Sequence, residues 1–474
     1  MEKYSLEGSL DQEDVPLTIR DTINLVDDLG KRYLWIDSLC IIQDDLADKR
    51  EYLPMMGDIY NAAMFVIMAA VENAHSGLPG SGNHKRQFPR MTERIRGIDF
   101  TIGQPQLREH LATTTWNLRG WTYQEANLAR RALVITNFQV YWSCREESWC
   151  EDRFTEFPKP INFPLKYNSL FDTTVSPYPS YSLELGLVID LCPLGKYCRM
   201  ARELSSRSFS DPRDCLWALL GILKSLLPKF PQGYIWAMPK SKLDAALLWE
   251  TDHVRHLSHA FAIPTGKGEW RKMEIPSWCW IGKGTEIWYD GCYESIESMV
   301  RWHEPVNFGE LGPLNGSQEE EEEEERARNL QSVISQPGHV SPGGAVFDFA
   351  LLRFTTELAS LKMHTLVSKP PKESGCPIIG SATISLLSGR NIGTMRVPIE
   401  AFSQKSEIRG DFILLSAMPR ETGPATQQCE EPTYNVMLVN WSHDKRFASR
   451  ISWTEVKKSA WEECERQRKT ITLK

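Results

Sequence analysis

For the first third of this 474-residue chain the sequence predicts an α/β fold, a parallel sheet with flanking helices. A helical region and a β-rich C-terminal module are predicted to follow. Three observations carry this reading. Helix-spaced apolar residues alternate with short apolar runs between positions 15 and 70. Leucine stripes at helical spacing occupy the middle of the chain. From Pro276 onward, strand-like runs are bounded by Gly, Pro and Asn clusters.

The elements follow in order. Asp14 and Pro16 mark a helix start, Ile19, Ile23, Val26 and Leu29 recur at helical spacing, and Gly30 supplies a stop, so a helix spans about Val15 to Leu29. Tyr33 to Ile36, resumed by Leu39 to Ile42, reads as a buried strand with Asp37 at or near its carboxyl end. A second helix carries Tyr52, Met55, Met56, Ile59 and Tyr60 on one side, and Pro54 makes it begin at about Leu53 or kink there. Met64 to Ala70 reads as a second buried strand. In such sheets the ligand site lies beyond the carboxyl ends of the strands, which puts Asp37 and the loop Val71 to Gly80 on the functional rim. Ala132 to Thr136 and Gln139 to Cys144 read as a hairpin around Asn137-Phe138.

Downstream, residues 151–182 are rich in Pro, Phe and Tyr and read as a linker. Residues 183–260 read as helical, with Leu216, Leu219, Leu220 and Leu223 as one stripe and Leu243, Ala246, Leu247 and Trp249 as part of another. Residues 261–474 form the β-rich module, with strands expected at Phe347 to Thr356, Ile378 to Leu387, Phe412 to Ser416, Tyr434 to Trp441 and Phe447 to Trp453. Within it, about 309–344, a run of seven glutamates, Glu319 to Glu325, reads as a solvated, disordered insertion. Without those seven, the net charge moves from −8 to about −1, so the acidity is local.

Composition narrows the function classes. Hydrophobic residues make up 41% and charged residues 24%, and 16 Trp exceed 14 Tyr, as in a globular chain. The acidic balance, with no basic patch or RNA-binding aromatic motif, argues against nucleic acid as the partner. Met1 to Asp14 has neither a basic start nor an apolar core, and no apolar run approaches the ~20 residues of a membrane span, so a cytoplasmic protein without a membrane span is expected. Eleven cysteines, an odd number at scattered spacings without CxxC, fit reduced thiols and give a structural zinc site little support. His253, His256 and His259 share part of a helix face but have only Asp252 nearby, so no metal site is assigned. No GxGxxG or GxxxxGK[ST] occurs.

The densest polar and aromatic cluster is Trp116, Asn117, Arg119, Gly120, Trp121, Thr122, Gln124 and Glu125, followed by Arg130 and Arg131. It is either a buried hydrogen-bonded knot or a ligand pocket, and on spacing alone the knot is the more ordinary outcome.

Tyr33-Leu34-Trp35-Ile36-Asp37-Ser38-Leu39-Cys40-Ile41-Ile42-Gln43, Met56 to Tyr60 with Ala62-Ala63, Gly77-Leu78-Pro79-Gly80, and Arg119-Gly120-Trp121-Thr122-Tyr123-Gln124-Glu125 with Arg130-Arg131-Ala132-Leu133 occur in that order. Together they resemble the HET domain of filamentous fungi. That family carries the heterokaryon incompatibility response, a form of non-self recognition and innate immunity in which fusion of genetically different hyphae triggers cell death. The resemblance covers about Val15 to Cys150. Ser210-Asp211-Pro212-Arg213-Asp214 leading into Leu216 to Ile222, and Ile275 to Trp280, resemble segments that commonly follow such domains.

The HET domain is in turn similar to TIR domains, flavodoxin-like folds of which some cleave NAD. The resemblance implies NAD as a candidate substrate with no resident cofactor, and Glu125 as the catalytic carboxylate of an NAD glycohydrolase. It implies ligand-binding roles for Trp121 by stacking, Arg119 toward a phosphate or in a pair with Glu125, and Gln124 as a polar contact. Asp37 is either a ribose ligand or a turn cap. HET domains usually open with a Ser-Tyr-x-Trp-Gly strand, and nothing like it occurs in Met1 to Asp14, so a shortened domain lacking its first strand is expected. A non-enzymatic module that assembles with itself or with a partner sensor protein, and an inactive truncated member, stand as alternatives.

Overall fold

The computed structural model describes residues 15–82, 84–86, 88, 91–104, 107–112, 114–144, 148–151, 192–211, 214–251, 261–264, 270–273, 275–281, 285–289, 295–303, 347–348, 351–365, 379–398, 407–418 and 431–474. The expected linker, the His253 to His259 cluster, the glutamate run and the Met1 to Asp14 segment lie outside the described residues. The chain divides into two compact units, one of Met1–Tyr181 with Arg207–Ser225, the other of Ser182–Ser206 with Leu226–Lys474.

In the first unit, α1 spans Leu17–Asp28 and ends where Gly30 adopts φ +64°, the left-handed conformation glycine takes without a Cβ penalty. The expected strand at 33–42 does not form. Residues 31–36 belong to no described strand, and Asp37–Cys40 is a short helix, α2. Tyr33 is 81% exposed and Trp35 and Ile36 are only half-buried, so this apolar run lacks the paired neighbours that would make it a sheet strand. Then come α3 (Leu46–Tyr52), a 3-10 turn at Leu53–Met55 that takes in Pro54, and α4 (Met56–Ala62). Pro54 therefore separates two helices, as its missing N–H dictates.

Strand β1 (Val66–Ala70) follows, then a small ribbon of β2 (Thr92–Ile95) and β3 (Ile98–Thr101). Helices α5 (Leu107–Ala112), α6 (Thr115–Leu118) and α7 (Trp121–Leu128) lead to β4 (Arg131–Thr136), β5 (Val140–Cys144) and β6 (Ser148–Cys150). The sheet order is β1-β4-β5-β6, with β1 and β4 parallel and the other pairs antiparallel. The expected hairpin is present. Its turn is held by the Thr136 hydroxyl, which accepts from the backbone N–H groups of Phe138 and Gln139 at 3.1 Å each. The sheet is thus mixed, and its one parallel pair is the only described crossover in the unit. Met68, Ala132 and Val134 are fully buried against Leu111, Trp116 and Ala129.

The loop after β1 is docked rather than free. Leu78 is fully buried and its N–H donates to the Asp21 carboxylate on α1 at 2.8 Å, while Gly77 and Gly80 have φ +72° and +88°. A Cβ on Gly77 would meet that carboxylate at 2.7 Å.

The second unit opens with the helix Pro193–Ser205 and is otherwise β-rich. Strands Leu352–Thr365, Glu407–Ala417, Thr433–Trp441, Ala448–Lys457 and Arg466–Leu473 pair successively. The first also pairs with the last, so the five close on themselves. Ile379–Ser385 and Asn391–Pro398 extend the sheet as a hairpin. Phe412 and Val436 of these strands share one buried core with Ile384 of the hairpin and Trp461 of the short helix Lys458–Glu462. The expected leucine stripe belongs to the first unit, on the helix Asp214–Leu226, with Leu216, Leu219, Leu220 and Leu223 buried. The second stripe is helical only over Leu243–Ala246.

Candidate functional site

Helix α7 displays Trp121 and Glu125 one turn apart, hence on one side. The turn before it is closed by side chains. Thr114 caps α6 by accepting from the Asn117 N–H at 3.3 Å, and the Thr122 hydroxyl reaches the carbonyls of Trp116 at 2.6 Å and Arg119 at 2.7 Å. Gly120 is required by packing: a Cβ there would lie 2.1 Å from the ring of Phe209. The Gly120 N–H donates to the Ser208 carbonyl at 2.8 Å, and the Ser208 N–H to that of Leu118 at 2.7 Å. Residues 207–209 are thereby laced along the α6–α7 turn, about ninety positions away in sequence.

Glu125 keeps some exposure along its side chain, yet its carboxyl is enclosed by protein. Desolvation first, then repulsion from Asp37, push its pKa from the ordinary carboxylate range up to about 7. Arg119, a hydrogen bond from the Tyr60 hydroxyl, and Arg207 pull the other way. Tyr60, on α4, is 8% exposed, and burial together with the negative charges of Glu125 and Asp37 holds its hydroxyl firmly protonated. Its ring meets Trp35 edge to face at 6.0 Å between centroids. Arg119 is exposed and forms no ion pair with Glu125. The structure therefore brings Asp37, Tyr60, Arg119 and Glu125 into one electrostatic group, with Trp35 beside it.

Other predicted residues point elsewhere. The Trp121 indole N–H donates to Asp214 at 3.1 Å. Gln124 is buried, its amide nitrogen 3.5 Å from the Trp217 carbonyl and its carbonyl oxygen without a partner among the described residues. It lies where α4 crosses the helix Asp214–Leu226, at a contact so close that a Cβ on Gly57 would be 2.7 Å from the Gly221 Cα. Asp37 opens α2, and its carboxylate accepts from the Ser38 N–H at 2.7 Å, a turn contact that leaves it near Glu125.

Two participants escaped the sequence reading. Tyr60 stands in a quoted motif but reads there as an apolar-face residue. Arg207 is remote in sequence. Its guanidinium donates to Asn117 at 2.7 Å, to the Thr122 hydroxyl at 3.1 Å and to the Arg119 carbonyl at 3.2 Å, and lies over the Tyr123 ring at 4.9 Å. No local pattern marks it, because its partners come from fold, not spacing. Among the described residues no cluster of His, Cys, Asp and Glu could hold a metal ion, and the described cysteines are free thiols.

A partly buried carboxyl near neutrality, a tyrosine donor, a second carboxylate and an exposed cation define a site able to stabilise a developing positive charge and to exchange a proton. Residues 2–125 match the model of a family described as Heterokaryon incompatibility protein (HET), a match that ends at Glu125 and covers the site's Asp37, Tyr60 and Arg119. Over that segment the chain is similar to heterokaryon incompatibility domain proteins. No curated protein and no solved structure is significantly similar to it. No helix among the described residues is long and apolar enough to cross a membrane.

Proposed function

We propose that this chain acts in heterokaryon incompatibility as a cytoplasmic cell-death protein. In this reading residues 1–150 are a TIR-like domain of the flavodoxin type. Residues 151–182 are a linker, and 183–260 and 261–474 a helical region and β-rich module that meet a partner sensor protein. The chemistry we assign is hydrolysis of the N-glycosidic bond of NAD. The carbon–nitrogen bond breaks and its electron pair leaves with nicotinamide. The ionised Glu125 carboxylate stabilises the ribosyl cation, water adds to the sugar carbon, and its proton passes to that carboxylate. A leaving pyridinium needs no general acid. Asp37 is assigned to the ribose hydroxyls and Arg119 to a phosphate, while Trp121 and Gln124, turned toward Asp214 and Trp217, act by positioning the helix that carries Glu125.

The observation that carries this reading is Glu125: a carboxyl held near pH 7 by burial and by Asp37, hydrogen-bonded by Tyr60 and not neutralised by Arg119. The test is NAD consumption by the purified chain beside Glu125→Ala, with folding checked by circular dichroism. Loss of activity by at least a hundredfold in the variant is expected. Equal NAD consumption in both proteins, or none by the unaltered chain, sinks the catalytic reading. An exposed apolar ribbon favours a second reading, in which the protein signals by assembling.

A further inference from the structure

The ribbon β2–β3 contributes to no core. Its two-residue turn, Arg96-Gly97, has φ +50° and +81° at both central positions, the mirror-image turn that matches strand twist. Register places Ile95 opposite Ile98 and Glu93 opposite Phe100, and the Ile102 N–H donates to the Met91 carbonyl at 3.2 Å one step beyond. Because directly opposed residues share a face and alternate along each strand, the apolar residues Met91, Ile102, Phe100, Ile95 and Ile98 line one side of the ribbon, which Glu93 shares. All five are exposed, at 67%, 64%, 54%, 51% and 62%. The other side carries Arg94 and Asp99, whose charged atoms lie 3.6 Å apart.

Five large apolar side chains on one face of a ribbon leave on the order of 500 Å² of apolar surface bare, at the upper end for a monomer. From this we infer that the Met91–Ile102 face is a self-association surface whose occupant is the same face of a second copy of this chain.

Two things on the ribbon select that occupant. The first is area. Two such faces packed about a twofold axis bury about 1,000 Å², the lower bound for a specific interface, and an isologous pairing needs no other complementary surface. The second is charge. Between positions 91 and 102, Glu93 and Asp99 balance Arg94 and Arg96, and Arg94 and Asp99 face away from the apolar side together. The ribbon as a whole is thus neutral, and the one charged residue on its apolar face, Glu93, is an anion, whereas nucleic acid or an anionic membrane would need a positive surplus the ribbon lacks. The inference does not rest on NAD chemistry, so either can fail alone.

The test is sedimentation equilibrium of the full chain from about 1 to 100 μM, beside Ile98→Glu/Phe100→Glu and the opposite-face variant Arg94→Ala. All three substituted positions are exposed, and thermal melts of the three proteins confirm equal folding. The unaltered chain and Arg94→Ala are expected to move from monomer to dimer mass over this range, and the double variant to stay monomeric, its dissociation constant raised at least tenfold. A monomeric unaltered chain, a double variant that dimerises as well as the parent, or an Arg94→Ala variant that loses dimerisation to the same extent each overturns the inference.

Discussion

Each unit holds a charged side chain away from water, and the two do so in opposite ways. In the second unit Arg450 is 7% exposed. Its guanidinium stacks on the Trp249 ring at 3.6 Å and donates to the Trp249 carbonyl, and its backbone N–H donates to the Ser277 hydroxyl at 2.9 Å. Around it the indole N–H of Trp249 donates to the Trp278 carbonyl at 2.9 Å, and that of Trp278 to the Leu473 carbonyl at 3.1 Å. Burial lowers the Arg450 pKa to about 9, opposed by Glu250 and Tyr289, so the group stays cationic at neutral pH. Glu125 is held differently. Its pKa sits at about 7, its nearest charges include a like one, and its printed hydrogen bond is from a single hydroxyl. A buried cation held by a ring and a carbonyl keeps a structure together. A buried carboxyl balanced between two protonation states is suited to chemistry.

The largest expected effect breaks the locked side. Arg450→Ala removes the stacked guanidinium and its hydrogen bond to the Trp249 carbonyl, and should cost about 3–5 kcal/mol in urea denaturation of the whole chain, monitored by Trp fluorescence. Gly120→Ala drives a methyl into Phe209 and should cost about 2–3 kcal/mol, with Gly120→Ala/Phe209→Ala recovering part of it; additive losses would show that the contact is not the cause.

Glu125→Gln sharpens the poised side and runs in the opposite direction. A carboxyl whose folded pKa is about 7 against an ordinary 4.5 binds its proton more tightly in the folded state. Folding stability is therefore fully present below pH 4.5 and declines as pH rises through 7. The glutamine lacks that decline, so its advantage should be absent near pH 4.5 and grow to at most about 3 kcal/mol by pH 8, read from melting temperatures across pH. The smallest effect is Tyr60→Phe, which removes the donor that favours the carboxylate. It should raise the Glu125 midpoint above 7 by roughly one unit, about 1 kcal/mol, with the Trp35 ring contact retained.

Much of the first unit was legible along the chain. α1, β1 and the β4–β5 hairpin follow from apolar spacing, Gly30 and the Asn137-Phe138 turn, all local signals. The failure at 33–42 has a physical cause: an apolar run becomes a strand only if a neighbour pairs with it, and pairing is non-local. The strand Arg466–Leu473 was missed for the converse reason. Its Arg466 to Arg468 stretch faces water and reads as polar coil, while Ile471 and Leu473 alone reach the interior. Asn391–Pro398 carries Asn391 and Gly393, which read as turn chemistry, although Met395 and Val397 are buried. At the site, Glu125, Asp37 and Arg119 could be singled out because motifs contain them.

The sequence by itself determined the helix ends, the hairpin turn, the local acidity of the glutamate run and the motif order that leads to the HET family. Those depend on neighbours within a few positions, where spacing and turn residues are decisive. Tertiary structure alone decided that Trp121 and Gln124 turn toward Asp214 and Trp217 while Glu125 turns toward Tyr60. It also decided that Arg207 laces the α6–α7 turn and that Gly120 must lack a side chain. The reason is common to all of these: a carboxyl's proton affinity and a glycine's necessity depend on atoms that folding brings within a few ångströms from far along the chain.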